Sequence, residues 1–262
     1  MREILTVKNL SVIYKVEERK IYALKEVSFS LKEGEILGVV GESGSGKTTL
    51  GLSILSLLDE KAYTSGKIIF EGRDIFSLSE QDLLCIRGRK IGLIFQEPAA
   101  SFNPVLTIGY QFREILREKL NLKEKNLVSQ IIHDSFKRVK LVEEERILRS
   151  YPHTLSGGQL QRIAIAFSIA LSPLILIADE PTSNLDITVE SQIIHLFLRL
   201  KEELNLSVIF ITHNLDLARV ICDRICVLYE GEMKEIREKE ALFREPKDPY
   251  TKELIEAFKR LE

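Results

Sequence analysis

Apolar positions change period along the chain, and the changes divide it into segments. Residues 6–12 alternate, with Val7, Leu10 and Val12 apolar, and end at Tyr14, as a half-exposed strand would. The charged stretch Glu17-Glu18-Arg19-Lys20 reads as a hairpin turn. Residues 23–31 read as the returning strand, closed by Glu33-Gly34. Residues 36–40 are apolar throughout, as a strand buried on both faces requires, and a helix follows the glycine-rich loop after them. Residues 66–72 form a short strand bounded by glycines, and 79–86 a short helix with a capping-box-like start, Ser79-Glu80-Gln81-Asp82. Residues 91–95 are a buried strand ending at Gln96.

From about 99 to 171 the period becomes helical. Residues 105–120, 125–140 and 143–149 read as helices. Ile108, Phe112, Ile115 and Leu116 mark one apolar face, and Ile131, Ile132, Phe136 and Val139 another. Pro98 and Pro104 break the chain on entry. Strand and helix then alternate again: strand 174–178, helix 186–205, strand 208–212, a helix at 214–221 capped by Asn214, and strand 224–229. Such alternation predicts an α/β fold whose mostly parallel sheet is covered on both faces. The expected organisation is a nucleotide-binding core with an N-terminal antiparallel β subdomain over 1–98 and 172–262, and an inserted helical subdomain over 99–171.

Composition narrows the function by exclusion. The 262 residues suffice for one large core or a major and a minor domain. A net charge of −2 leaves no basic footprint for DNA or RNA, so no nucleic-acid partner is expected. Charged residues at 29% hint at a heat-adapted source. Cys85, Cys222 and Cys226 are too few and too scattered for a disulfide framework, which fits a reduced setting. The first residues, Met1-Arg2-Glu3-Ile4-Leu5-Thr6, hold no long apolar segment and do not read as a secretory signal. The longest uncharged run, 163–178, is interrupted by Pro173 and reads as buried helix, turn and strand, not a membrane span.

Candidate chemistry centres on Gly41-Glu42-Ser43-Gly44-Ser45-Gly46-Lys47-Thr48-Thr49, between a strand and a helix. In that setting G-x-x-x-x-G-K-[ST] is a phosphate-binding loop: the glycines aim backbone N–H groups at a phosphate, and the helix N-terminus adds positive potential. Lys47 would reach the β/γ-phosphates and the Thr48 hydroxyl would ligate Mg²⁺. The buried strand at 174–178 delivers Asp179 and Glu180 at its carboxyl end, the edge where parallel sheets hold ligands. Asp179 would hold Mg²⁺ through its water shell, and Glu180 would polarise the water attacking the γ-phosphate. The alternative is a pair of solvated acids opening a turn before Pro181. Leu155-Ser156-Gly157-Gly158-Gln159 starts a helix with apolar positions at 160, 163, 164, 167, 170 and 171, a start that invites an anion or simply caps the helix. Tyr14 reads equally as a strand-end aromatic or as a face on which adenine stacks.

Taken together these motifs resemble the nucleotide-binding subunit of an ABC transporter: Walker A at 41–49, Q-loop Gln96, signature 155–159, Walker B at 174–180, D-loop Ser183-Asn184-Leu185-Asp186 and switch His213. Their order and spacing agree with the family across nearly the whole chain. The resemblance implies an ATPase that hydrolyses ATP with Mg²⁺, as a head-to-tail dimer with an identical or homologous second ATP-binding subunit. Each ATP would touch Walker A of one subunit and Ser156, Gly157, Gly158 and Gln159 of the other. Gln96 would sense Mg²⁺ and the attacking water, and His213 would contact the γ-phosphate and position Glu180.

Narrower resemblances point to the oligopeptide/dipeptide/nickel importers: Tyr151-Pro152-His153-Thr154 before the signature, Phe95-Gln96-Glu97-Pro98 with Ser101-Phe102-Asn103-Pro104, and the 243–251 segment, where Asp248 stands in place of the usual histidine. Leu160 and Asn184 also depart from the common pattern, without removing a catalytic group. The implied partners are two transmembrane permease subunits and, indirectly, an extracellular solute-binding protein, with the chain on the cytoplasmic face of the membrane. Many peptide-importing members carry a cysteine-rich tail, so the end at Glu262 fits either a shortened chain or the short, nickel-type cassettes. The rival readings are a non-transport ATPase of DNA-repair or translation type and an ATP-binding regulatory module that no longer hydrolyses. Retention of Glu180, His213 and Gln96 speaks against the second.

Overall fold

A computed structural model describes residues 2–16 and 19–259. In chain order the elements are β1 (Glu3–Val16), β2 (Arg19–Lys32), β3 (Ile36–Val40), α1 (Lys47–Ile54), β4 (Ala62–Phe70), β5 (Arg73–Asp74), α2 (Glu80–Ile86) and β6 (Ile91–Ile94). A helical stretch follows, with α3 (Ile108–Leu120), α4 (Lys125–Arg138), α5 (Glu144–Arg149) and α6 (Gly157–Ala170). The remainder is β7 (Ile175–Asp179), α7 (Ile187–Leu204), β8 (Ser207–Thr212), α8 (Leu215–Ile221), β9 (Arg224–Tyr229), β10 (Glu232–Glu238), α9 (Lys239–Arg244) and α10 (Pro249–Lys259).

The main sheet has the order β10-β9-β3-β8-β7-β6, parallel except for β10 at one edge. Successive residues of a strand point to opposite faces, and here they feed two different cores. Leu176, Ala178, Val208 and Phe210 join the cluster under the helices. Their neighbours Ile175, Ile177, Ile209 and Ile211 join the cluster beneath α1 and the second, antiparallel sheet, β2-β1-β4-β5. The continuous apolar runs of β3, β7 and β8 follow from burial on both faces. The fold is α/β, as the alternation predicts.

The helical stretch packs on the first of these cores through a cluster of tilted and edge-on rings. Phe112 lies 4.1 Å from Phe167 and 6.0 Å from Phe136, and Phe102 meets Phe167 edge-on at 5.3 Å. Each buried ring is worth roughly 1.5–3 kcal/mol in apolar transfer, so these contacts attach α3 and α4 to α6. No strand occurs among residues 99–171.

Several boundaries differ from the sequence pattern, each for a local reason. The turn expected at 17–20 lies partly outside the described residues at Glu17 and Glu18. Arg19 and Lys20 are already paired in the antiparallel ladder with Val16 and Lys15. The strand expected at 66–72 is β4 and begins at Ala62, with Gly66 inside it. At Gly66 the φ is +92°, and a Cβ there would sit 2.3 Å from the Asn9 carbonyl oxygen, where β1 bulges. Helix α3 starts at Ile108 rather than 105, because the Thr107 hydroxyl accepts the Tyr110 N–H and caps it there. Asp186 caps α7 in the same way through the Val189 N–H, and Asn205 closes it at φ +50°. Strand β10 and helices α9 and α10 lie beyond the last predicted element. Cys222 and Cys226 are fully buried as packing residues.

Candidate functional site

The loop between β3 and α1 wraps one side of a cavity of about 700 Å³, lined by Gly41, Glu42, Ser43, Gly44, Gly46, Lys47, Thr48 and Thr49. Gln96, Glu180 and His213 face it from the ends of β6, β7 and β8, and Leu215 borders it from the start of α8. All three strands run parallel, so their carboxyl ends meet at one edge. Residues 96, 180 and 213 are thereby gathered beside residues 41–49.

The loop's shape depends on glycine where the chain passes closest to its neighbours. Gly46 has φ +104°, and a Cβ there would lie 2.4 Å from the Ala23 carbonyl oxygen. The Lys47 ammonium is folded back into the loop, donating to the carbonyls of Gly41 and Glu42 at 2.8 Å each. Burial lowers its pKa from the ordinary lysine value, opposed by the nearby carboxylates of Glu180, Asp179 and Glu42.

Glu180 is held at both oxygens. Gln96 Nε2 donates to Oε2 at 3.1 Å, and His213 Nδ1 lies 3.1 Å from Oε1. Its backbone is in the left-handed region, φ +44°, and its N–H is tied to the Ile211 carbonyl at 2.9 Å. A non-glycine residue there carries strain of the kind concentrated at functional positions. Ser183 braces the turn, its hydroxyl donating to the Glu180 carbonyl at 2.9 Å.

Asp179 lies one residue deeper and does not line the cavity. Burial raises its pKa above the usual carboxylate value, while a hydrogen bond from Thr48 pulls it back down. Its Oδ1 is buried without a hydrogen-bond partner, as is the Ser45 hydroxyl. Buried polar atoms are normally satisfied, so both oxygens fit a site built for something further. An unsatisfied carboxylate oxygen beside the Thr48 hydroxyl is a hard-oxygen donor set that suits Mg²⁺, which takes one or two protein oxygens and completes its shell with water and phosphate. Among the described residues there is no cluster of three or more acids, histidines or cysteines that would make an all-protein metal cage.

Ser156, Gly157, Gly158 and Gln159 are not in this cavity. They line a separate hollow of about 350 Å³ with Arg162 and the start of α7. Ser156 and Gln159 form a capping box on α6: the Ser156 hydroxyl accepts the Gln159 N–H at 3.3 Å, and Gln159 Oε1 accepts the Ser156 N–H at 3.1 Å. Between the two places lies a third hollow of about 340 Å³. It shares Gln96, Glu180 and His213 with the cavity, and Asn184 and Leu185 with the signature hollow.

Tyr14 does not line the cavity. It is half-buried against the core under the antiparallel sheet, paired with Ile21 across the ladder. The sheet residues that do line the cavity are Ile21, Tyr22 and Ala23, and Leu254 joins them from α10. Sequence reading missed these four. Tyr22 is 49% exposed and Ile21 52%, but that exposure is a property of the fold, and both precede the returning strand expected at 23–31, so neither carried a signal in the sequence. Leu254 carried none, because α10 was not among the predicted elements.

A model of the ABC transporter family matches residues 24–183. A putative peptide import ATP-binding protein of Brucella abortus is 42% identical over 99% of this chain and 78% of its own length. The glutathione import ATP-binding protein GsiA of Escherichia coli is 39% identical over 99% of this chain, which spans only 42% of that relative. Among solved structures, the dimeric ATP-binding cassette MJ0796 in a post-hydrolysis state bound to ADP and Pi superposes with a TM-score of 0.80 at 33% identity, covering 90% of this chain and 98% of that one. The structure of cbiO1 from Clostridium perfringens gives 0.79 at 28% identity, over 94% of this chain and 92% of that one.

Proposed function

The chain belongs to the ABC transporter ATP-binding family, and from that premise we propose that it is the ATP-hydrolysing subunit of an importer of small peptides. The observation that carries this reading is the convergence of Lys47, Gln96, Glu180 and His213 on one cavity whose loop backbone is shaped for phosphate. Relatives named for peptide import and glutathione import support small peptides as the cargo class, ahead of nickel. Helices of residues 99–171 act as the inserted subdomain that faces the permease.

In this mechanism the loop N–H groups and the Lys47 ammonium bind the β- and γ-phosphates, exchanging the two carbonyls that now hold Lys47 for phosphate oxygens. Glu180 orients the attacking water and accepts its proton as the oxygen–phosphorus bond forms and ADP leaves. Gln96 and His213 hold that carboxylate in place, so a change at either should lower turnover more than ATP affinity. Thr48 and Asp179 would hold Mg²⁺, which would supply positive charge against the charge that develops on the phosphate oxygens.

The site is completed by a second subunit. Ser156, Gly157 and Gly158 present the N-terminus of α6 away from the chain's own cavity, where it is free to cap the γ-phosphate held by a partner. The dimeric cassette bound to ADP and Pi supports this arrangement. No helix among the described residues is long and apolar enough to cross a membrane. In the proposed importer, membrane permease subunits carry the solute, an external binding protein delivers it, and this chain works on the cytoplasmic face. Steady-state ATPase assays of the wild type and Glu180→Gln under dimerising conditions test the proposal. Absence of wild-type turnover, or equal rates in the two proteins, would sink it.

A further inference from the structure

The far end of the chain returns to the phosphate loop. Helix α10 packs its 250, 251, 254, 255 and 258 face on the core, with Thr251 and Ile255 buried. Its first turn is locked: Glu235 of β10 accepts the N–H groups of Lys247 and Asp248, and Asp248 in turn accepts those of Tyr250 and Thr251. The Tyr250 ring stacks on Tyr229, centroids 4.0 Å apart. From this rigid mount the Tyr250 hydroxyl donates to Glu42 Oε1 at 3.3 Å, and Leu254 reaches the wall of the nucleotide cavity.

Glu42 is the one acid within the phosphate loop, between Gly41 and Ser43, and it lines the cavity. Its carbonyl holds Lys47, but its carboxylate is a like charge beside a site that must accept a polyanion. A neutral donor that engages this carboxylate keeps it turned toward α10 and partly offsets its charge. Tyr250 is suited to that task because burial, reinforced by Glu42, raises its pKa to about 12, so the hydroxyl keeps its proton at neutral pH.

We propose that α10 is part of the nucleotide site: Tyr250 is a positioning residue that restrains Glu42 in the phosphate loop, and Leu254 supplies an apolar contact to bound nucleotide. This rests on the ATP-binding reading above. It would make nucleotide affinity depend on a C-terminal helix that no phosphate-loop motif includes.

The test is a double-mutant cycle read by Mg-ATP titration calorimetry on the full chain, with thermal unfolding of the nucleotide-free proteins measured alongside. Tyr250→Phe deletes only the hydroxyl and keeps the ring on Tyr229. It should raise the Kd for ATP about fivefold, the size of a hydrogen bond to a charged group partly open to water, without moving the nucleotide-free midpoint. In a Glu42→Ala background the same change should do nothing, because its target is gone. Leu254→Ala should raise the Kd about threefold in either background. The proposal is overturned if Tyr250→Phe leaves the Kd unchanged, or weakens ATP equally with and without Glu42. A wild type that fails to bind ATP would instead remove the functional reading. Wild-type binding abolished by Lys47→Ala but indifferent to Tyr250→Phe would remove only this inference.

Discussion

The phosphate cavity and the signature hollow are both built at the N-terminus of a helix with glycines at its start, yet they are satisfied in opposite ways. Around the cavity, the Asp179 Oδ1 and Ser45 Oγ atoms are buried without partners, Lys47 is folded onto its own loop and Glu180 holds a left-handed backbone. At the signature, Ser156 and Gln159 satisfy each other in a closed capping box. Unmet polar groups mark a place that gains by binding. A satisfied helix end is stable alone and can offer its remaining N–H groups only to something that arrives from outside. On the function proposed above, one region would be a receptor within the chain, and the other a surface for a second chain. The D-loop residues Asn184 and Leu185, which border both the signature hollow and the hollow behind Glu180, are the physical route between them.

The largest effect that would break this distinction is at Lys47. Lys47→Ala should weaken Mg-ATP binding by about 100-fold or more, the loss of charge-assisted contacts to two phosphates, measured by calorimetry. Retained affinity would mean that the cavity is not the phosphate site. Glu180→Gln keeps the size and hydrogen bonding of the side chain but cannot take a proton. Its kcat should fall by about 10²- to 10⁴-fold while the Kd for ATP stays within about threefold, and a long-lived ATP-bound dimer should appear in light scattering.

Ser156→Arg sharpens the comparison from the other side. It breaks the capping box and places a bulky cation at the helix start. Turnover under dimerising conditions should drop by about 10²-fold or more, while ATP binding to the monomer is spared. Loss of monomer binding would show that the signature belongs to the chain's own site, contrary to the separation of the two hollows.

The smallest predicted effect concerns the stability cost of the unmet groups. Asp179 has a raised pKa in the folded state, so its ionised form disfavours folding, and that cost is present above the folded pKa and disappears as pH falls below the unfolded value. Asp179→Asn should therefore raise the nucleotide-free unfolding midpoint at pH 7, by about 2–4 °C for a chain of this size, and raise it much less at pH 3. The same variant should lose Mg²⁺-dependent turnover, the trade expected of a residue kept for function at the expense of stability.

Legibility from sequence followed the range of the interactions. Strands β3, β7 and β8 could be read because burial on both faces forces unbroken apolar runs, and α7 because Asp186 and Asn205 mark its ends. The phosphate loop was legible because its backbone needs glycine at fixed spacing, a requirement met within nine residues. Gln96 and His213 each follow a strand, as Glu180 does, but only the family resemblance assigns the first two a role beside it. By contrast, Tyr14 reads equally as a strand-end aromatic or as an adenine face, while the cavity is lined by Ile21, Tyr22 and Ala23 of the facing strand. Tyr14 and Ile21 are cross-strand partners on one face, so what local pattern does not reveal is which of the two strands borders the cavity, a matter of how the antiparallel sheet sits against the phosphate loop.

What the sequence determined by itself is therefore the layered α/β fold, the phosphate loop and the acid pair at a strand end, because propensity, period and turn chemistry act over a few residues. Tertiary structure alone decided which side chains share a cavity: that Glu180 is gripped by Gln96 and His213, that the signature stands apart in its own hollow, and that Tyr250 reaches Glu42 across 208 positions of chain. Such contacts are set by the packing of two cores against one sheet, and no local pattern encodes where those layers bring distant residues together.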